Sequence, residues 1–517
     1  MSQERTIPLA GLEPRLRHLL PADLYATAWL EQSPQNLERV FEHLRTLHRI
    51  LHDYVPRQLA AAPATPGVVR HSWEEGALMF TDLSGFTPLM EANAARGADG
   101  ASTLLSVLNA YFAEMLEIVS KSGGELLEFT GDALLVQFPV NRRGDQVAQA
   151  ARAGLRMQRA MKRYANIETM SGTYSLGMRV GVHAGRFLTA DIGTPQRMEH
   201  VLLGRHVQEA KRAEGAGAVN RVCLTAAAHR AVKDVFRFEP GEPGHMLLVD
   251  DLTDEELGTF DIGVARRRMA GGVLFDRGVE ALTDAIEKML DRVEPLAAFI
   301  PDPVLSVLIE TAARRQIPPD FPRPTVIFVN LLGLPEAVDE ATPQEIDALV
   351  DSFSKIFALI NAVVDVRGGL LKKVTYHLAG SDMMILFGAP TAHTDDPARA
   401  ADAALAIREI VLNTEAPAVS GRTVEIECQI GMNIGPVFAA EIGEPRGRRE
   451  FNVLGDPVNT AARLMGRALG NRVLLTEALY NEVADRFRCE SLGSMPLKGK
   501  STRLRVYALE GQSQGQG

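Results

Sequence analysis

Two carboxylates in this chain stand where a carboxylate can do chemistry. Asp82 ends the apolar run Ala77-Leu78-Met79-Phe80-Thr81 and is followed by Leu83-Ser84-Gly85-Phe86-Thr87. Asp132 follows Gly131 at the tip of what reads as a hairpin, Leu127 to Phe138. Hard divalent cations take oxygen ligands and keep substrate phosphates in their shell, so two aspartates beside a glycine turn that opens a helix suit a triphosphate. Either aspartate alone reads better as a turn former or helix cap. His183, His200 and His206 lack ligand spacing and read as structural. Arg446, Arg448 and Arg449, in GEPRGRREF, read as a solvated hairpin turn.

The elements that must hold these residues occur twice. Ala77 to Gly85 (ALMFTDLSG) matches Thr325 to Gly333 (TVIFVNLLG), with Phe80 against Phe328, an offset of 248. Further on, Gly123-Gly124 answers Gly368-Gly369, GVHAG at 181–185 answers GMNIG at 431–435, and Leu202-Leu203-Gly204 answers Val453-Leu454-Gly455. Even the upstream flank repeats, Tyr54-Val55-Pro56 with Leu59 against Phe299-Ile300-Pro301 with Val304. Such a long period means two homologous halves, each with a helical lead-in. Each half reads strand (77 to 83), long helix (99 to 120), hairpin around Gly131, helix (145 to 164), then strands from 177.

That order predicts an α/β (α+β) sandwich of ferredoxin-like type, with helices on one face of a largely antiparallel sheet and the other face free for a partner. The expected organisation is a helical segment 1–70, a first domain 71–265, a helical connector 266–322, a second domain 323–510 and a frayed tail 511–517. Residues 36 to 55 carry Val40, Leu44, Leu47, Leu51 and Tyr54 at helical spacing, an amphipathic helix suited to core packing.

Composition narrows the function. Of 517 residues, 55 are Lys or Arg and 65 Asp or Glu, a net charge of −10, which argues against a general nucleic-acid binder. Three scattered cysteines, Cys223, Cys428 and Cys489, exclude a disulfide framework and a cysteine zinc site and fit a reducing, cytoplasmic setting. The greasy stretch 293–309 is broken by Glu294, Asp302 and three prolines, so no membrane span is expected there.

FTDLSGFT (80–87), FTGDALLVQF (129–138) and GDPVNTAARL (455–464) resemble the class III adenylyl and guanylyl cyclases. The resemblance spans roughly 74–240 and 323–508 and is nearest to the tandem soluble adenylyl cyclases, through PTVIFVNL (324–331). It implies two cyclase domains forming an intramolecular pseudo-heterodimer with the active site between them. One domain gives the metal-binding aspartates, the other the base-recognition and transition-state residues.

The repeat is asymmetric in the same way. Asp82 pairs with Asn330 and Asp132 with Ser381, so the second half has lost the acids; Lys373 pairs with Glu128, Asn459 with Gln208, and Arg463 with Arg212. The resemblance therefore implies one complete site and one pseudosite. Asp82 and Asp132, with Leu83, would bind two divalent metal ions, magnesium or manganese. Ser84, Gly85, Phe86 and Thr87 would hold phosphates, with Arg179 and Lys498, or Lys500 in its place, as basic partners. Asn459 would orient the ribose and Arg463 stabilise developing charge on phosphorus oxygens.

For the base, Lys373 can only donate and so suits an adenine ring nitrogen, while Asn452 can accept from the exocyclic amine. ATP is the expected substrate, with cyclic AMP and pyrophosphate as products. Guanylyl cyclase activity, or a catalytically silent nucleotide-binding module, are the alternatives. In bicarbonate-regulated relatives the pseudosite binds the anion through a lysine and an arginine; here Glu128 replaces the lysine, and a Glu128 to Arg212 ion pair is expected to fill the space.

Overall fold

The computed structural model describes residues 9–258, 278–313, 317–376, 378–444, 447–497 and 503–513. The first half opens with a long strand, Arg70–Ser84, flanked by antiparallel partners Ala133–Pro139 and Gly177–Gly193. Its sheet runs in the order Glu125–Thr130, Ala133–Pro139, Arg70–Ser84, Gly177–Gly193, Val222–Thr225, His245–Leu248, Phe238–Pro240, with Met198–Leu203 paired onto the far end of Gly177–Gly193. The second half repeats this order around Thr325–Leu332, between Ser381–Phe387 and Glu427–Ile434. Among the described residues the central strands of each half are antiparallel and one neighbouring pair is parallel, Gly177–Gly193 with Val222–Thr225 and Glu427–Ile434 with Val473–Thr476.

Within the opening strands the runs 77–80 and 326–329 are apolar without a break because both faces are covered there. Side chains alternate across a strand. Ala77, Met79 and Leu83 join the core under helices Gly97–Lys121 and Gln146–Ala160, whereas Leu78 and Phe80 join a second cluster with Val207, Ala210 and, from the other half, Tyr376. Phe80 and Tyr376 meet edge to face, 5.7 Å between centroids. Asp82 shares the parity of Leu78 and Phe80, so the strand aims it at the partner half. In the second half Ile327, Val329 and Leu331 take the inner role, under helices Pro343–Val366 and Asp396–Leu412.

The glycines at 181 and 431 let a helix backbone touch the sheet. A Cβ on Gly181 would lie 2.1 Å from the Glu214 amide nitrogen, and one on Gly431 2.2 Å from that of Met465. Helices Arg205–Ala216 and Asp456–Met465 are thereby pressed onto the interface side of their own sheets.

The described parts of the lead-in and of the connector form one helical module, and residues 1–8, 266–277 and 314–316 of those segments lie outside the described residues. Pro34–Tyr54 buries Leu37, Val40, Phe41, Leu44, Leu47, Leu51 and Tyr54 in a cluster shared with Val279–Ala297, Asp302–Thr311 and the second half's Val326, Phe328 and Phe451. The amphipathic helix does pack into a core. Among the described residues one helix, Gly97–Lys121, is long and apolar enough to cross a membrane, and Leu104, Leu108, Phe112, Met115 and Val119 on it are core.

Candidate active site

Asp82 is the last acid of the opening strand, directly opposite Arg179 in the antiparallel register. The Arg179 guanidinium donates to the Asp82 carboxylate and its Nε lies 2.9 Å from Glu214, whose other oxygen is 3.0 Å from Lys211 Nζ. Lys211 also lies over the Phe80 ring at 4.2 Å. Asp132, half-buried at the hairpin tip, has its carboxyl pushed up to about 7 by burial and by the Asp82 charge. Two acids this close, with every candidate ligand an oxygen, fit a hard divalent cation.

The chain then turns at Gly85 (φ +90°) into helix Phe86–Ala94, whose first amides receive no side-chain cap. Free amides at the start of a helix suit an anion. Ser84, Gly85, Phe86 and Thr87 thus form an open turn beside Asp82, with Phe86 buried as the anchor.

The second half contributes its Arg449–Leu454 strand and the helix after it. Asn452 Nδ2 donates to the Gly131 carbonyl at 2.7 Å, next to Asp132, while its Oδ1 accepts from the Val453 amide at 2.9 Å. Gly455, which opens helix Asp456–Met465, abuts Met90 of the first half's phosphate-side helix. Asn459 and Arg463, one turn apart on that helix, share a face. Asn459 is exposed and Arg463 half-buried, and neither has a side-chain partner among the described residues. Sequence and structure thus bring Asp82, Asp132, the 84–87 turn and Asn452 to one corner, which the Asn459 and Arg463 helix adjoins. Lys498 and Lys500 lie outside the described residues.

Lys373 is elsewhere in this cluster. Its ammonium is 3.2 Å from Glu128 and 3.1 Å from Glu450, near the pseudo-two-fold axis that relates Lys373 to Glu128. These groups floor a cavity of about 90 Å³, walled on the helical side by Tyr54 and Leu59 and by their repeat partners Phe299 and Val304. The repeated flank thus lines one cavity from two sides. Burial pushes the Glu128 carboxyl up to about 7 despite Lys373, while Lys372, Lys373 and Arg448 outweigh burial and hold Glu450 down to about 2.

Two expectations are corrected here. Glu128 pairs with Lys373 and not with Arg212, which donates to Glu209 and, at 2.8 Å, to the Leu378 carbonyl of the other half. Helix Arg205–Ala216 leans over the second half and carries Arg212 off the axis. Arg448 and Arg449 are not solvated: Arg448 donates to the Tyr54 carbonyl and Arg449 pairs with buried Glu441 at 2.9 Å, while Arg446 lies outside the described residues. The three histidines bond locally, His183 to His206 at 2.8 Å and to Thr225 at 2.9 Å, and His200 to Asp191 at 2.6 Å.

Sequence reasoning missed Glu214, Glu450 and Glu336. Glu336 had a signal, since Gly333-x-x-Glu336 stands where the first half has Gly85-x-x-Pro88.

The chain is 25% identical over 398 residues to adenylate cyclase type 10 of Rattus norvegicus, covering 76% of this chain and 24% of that protein, so it spans about a quarter of that relative's length. It is 25% identical over 241 residues to adenylate cyclase 1 of Rhizobium meliloti, covering 45% of this chain and 34% of the relative. The crystal structure of a class III adenylyl cyclase-like ATP-binding protein from Pseudomonas aeruginosa shares the fold with a TM-score of 0.54 at 16% identity, over 86% of this chain and 93% of that one. The family model for the adenylate and guanylate cyclase catalytic domain matches twice, at residues 68–248 and 319–511, and the chain therefore belongs to that family as a tandem of two cyclase domains.

Proposed function

We propose that the chain is an adenylyl cyclase, converting ATP to 3′,5′-cyclic AMP and pyrophosphate at a single site between its halves. The observation that carries this reading is the Asn452 bond to Gly131, which fastens a second-half strand beside Asp132 while only the first half retains both acids. Asp82, Asp132 and the Leu83 main chain offer an all-oxygen set that fits two magnesium or manganese ions, whose chemistry is activation of a ribose hydroxyl and neutralisation of a triphosphate.

The chain's own groups do the rest. Amides of the 84–87 turn bind phosphate oxygens, and Arg179, already a partner of Asp82, is a cation within reach of them. Asn459 orients the ribose, and Arg463 meets the charge that develops on phosphorus oxygens, so its removal costs turnover more than binding. Asn452 keeps a second Nδ2 hydrogen and a second Oδ1 lone pair for the base, and Lys373, a pure donor, selects adenine. Lys373 must then exchange a carboxylate for the base. Free cysteines, two of them buried, accord with a cytoplasmic protein.

A second reading, a silent ATP-binding module, is favoured by one feature: Lys373 is held by Glu128 and Glu450, and Asp82 by Arg179. Product analysis of the purified chain with ATP and with GTP, under magnesium or manganese, separates the two. Cyclic AMP is expected, with GTP turned over at least about tenfold more slowly and both activities lost in Asp82→Ala. ATP binding without product under either metal would establish the silent module instead.

A further inference from the structure

The second half's counterpart of the phosphate turn already holds an anion of its own. Gly333-Leu334-Pro335-Glu336 repeats Gly85-Phe86-Thr87-Pro88 at the same offset, so a carboxylate replaces an exposed proline. Glu336 Oε2 accepts the Gly333 amide at 3.0 Å. Its Oε1 accepts the Gly380 amide and, across the domain boundary, Gln208 Nε2 at 3.2 Å. In the repeat these three donors correspond to the Gly85 turn, the Gly131 hairpin tip beside Asp132, and Asn459, the places assigned to phosphate, metal and ribose in the first site.

The surroundings have closed to match. Asn330 Nδ2 donates to the Ala379 carbonyl at 2.9 Å and to Gln429 at 3.0 Å. A Cβ on Gly380 would lie 2.2 Å from Asn330 Oδ1, whereas one on Gly131 would meet only a Leu454 methyl at 3.7 Å. The hairpin tip is thus folded down on the strand end in the second half and held off it in the first. Asp339, from the segment after Glu336, takes the Arg205 amide at 2.7 Å and adds a second cross-boundary tie.

We propose that Glu336 is an internal ligand that closes the second site to phosphate-bearing molecules and limits the chain to one nucleotide. A carboxylate supplies two acceptor oxygens to three converging donors, so an incoming oxyanion would compete for the same amides and meet a like charge. The count of one rests on the nucleotide reading of the first site; the closure of the second does not.

Calorimetric titration of the full chain with pyrophosphate, magnesium present, tests this in three proteins. The wild-type chain is expected to show one site, Glu336→Ala a second, weaker one, and Pro88→Glu none. The last variant transplants the plug: a glutamate at the third helical position can reach back to the Gly85 amide as a cap, so its melting temperature stays level or rises while binding is lost. That opposite sign separates plugging from misfolding. The same number of sites in Glu336→Ala as in wild type, with melting unchanged, overturns the proposal, as does a Pro88→Glu chain that binds like wild type. A wild type without a site beside a Glu336→Ala chain that gains one would sustain the plug and sink the first-site reading.

Discussion

The ends of the two opening strands share a backbone and differ in charge. Asp82 faces Arg179 and Asn330 faces Gln429 in the same register, yet the first pair is ionic and the second is an amide bonded to an amide at 3.0 Å. Around the first lie Glu214 and Lys211; their counterparts on the second-half helix are Met465 and Ala462. Buried ion pairs are poor stabilisers relative to neutral replacements of similar shape. The second half shows that this register position is filled equally well by a neutral pair. The charged pair of the first half, partly open to solvent, is the arrangement that the proposed cation and phosphate site would use.

The largest effect is expected from imposing the first pair's charge on the second. Asn330 is 1% exposed, so Asn330→Asp buries a carboxylate opposite a neutral amide and beside Glu336, and should cost about 3–5 kcal/mol in urea denaturation. Adding Gln429→Arg should recover at least about half of that loss. If the single variant is as stable as wild type, the two strand ends do not differ in their tolerance of charge.

A smaller effect is expected at the axis. Glu128 faces Lys373, Glu450, Glu199 and Lys372 in the cavity, and its carboxyl is raised to about 7. A group raised on folding adds stability that is full below its unfolded value and lost as pH climbs through its folded one. Glu128 should accordingly make the chain lose stability between about pH 4.5 and 7. Glu128→Gln should flatten the melting temperature over that window relative to wild type. An unchanged slope would place the titration elsewhere.

Much of this was legible in the sequence, for physical reasons that can be named. The apolar stretches of the opening strands read correctly because both faces are buried there, whereas the polar stretch 70–76, which makes the first strand Arg70–Ser84 and not 77 to 83, gave no apolar signal; the helix expected at 99–120 spans Gly97–Lys121 and that at 145–164 spans Gln146–Ala160 with a short 3-10 turn after it. Asp82 and Asp132 stood out because the repeat supplies its own control, Asn330 and Ser381. What could not be read depends on how the halves meet. Glu450 and Lys372 are ordinary residues of a strand pattern until the axis brings them to Glu128 and Lys373. The expected Glu128 to Arg212 pair failed for the same reason: both face the other half, but the helix bearing Arg212 reaches the Leu378 loop instead of the axis.

The pseudo-equivalent arginines give the most direct test, since neither Arg463 nor Arg212 is buried and both sit at matching helix positions. Cyclic AMP production from ATP should fall roughly 10²–10³-fold in Arg463→Ala. In Arg212→Ala it should stay within about threefold, since only a bond to Glu209 and one to a loop carbonyl are lost. Equal losses in the two variants would mean that both halves carry working sites, and would contradict a single site shared between them.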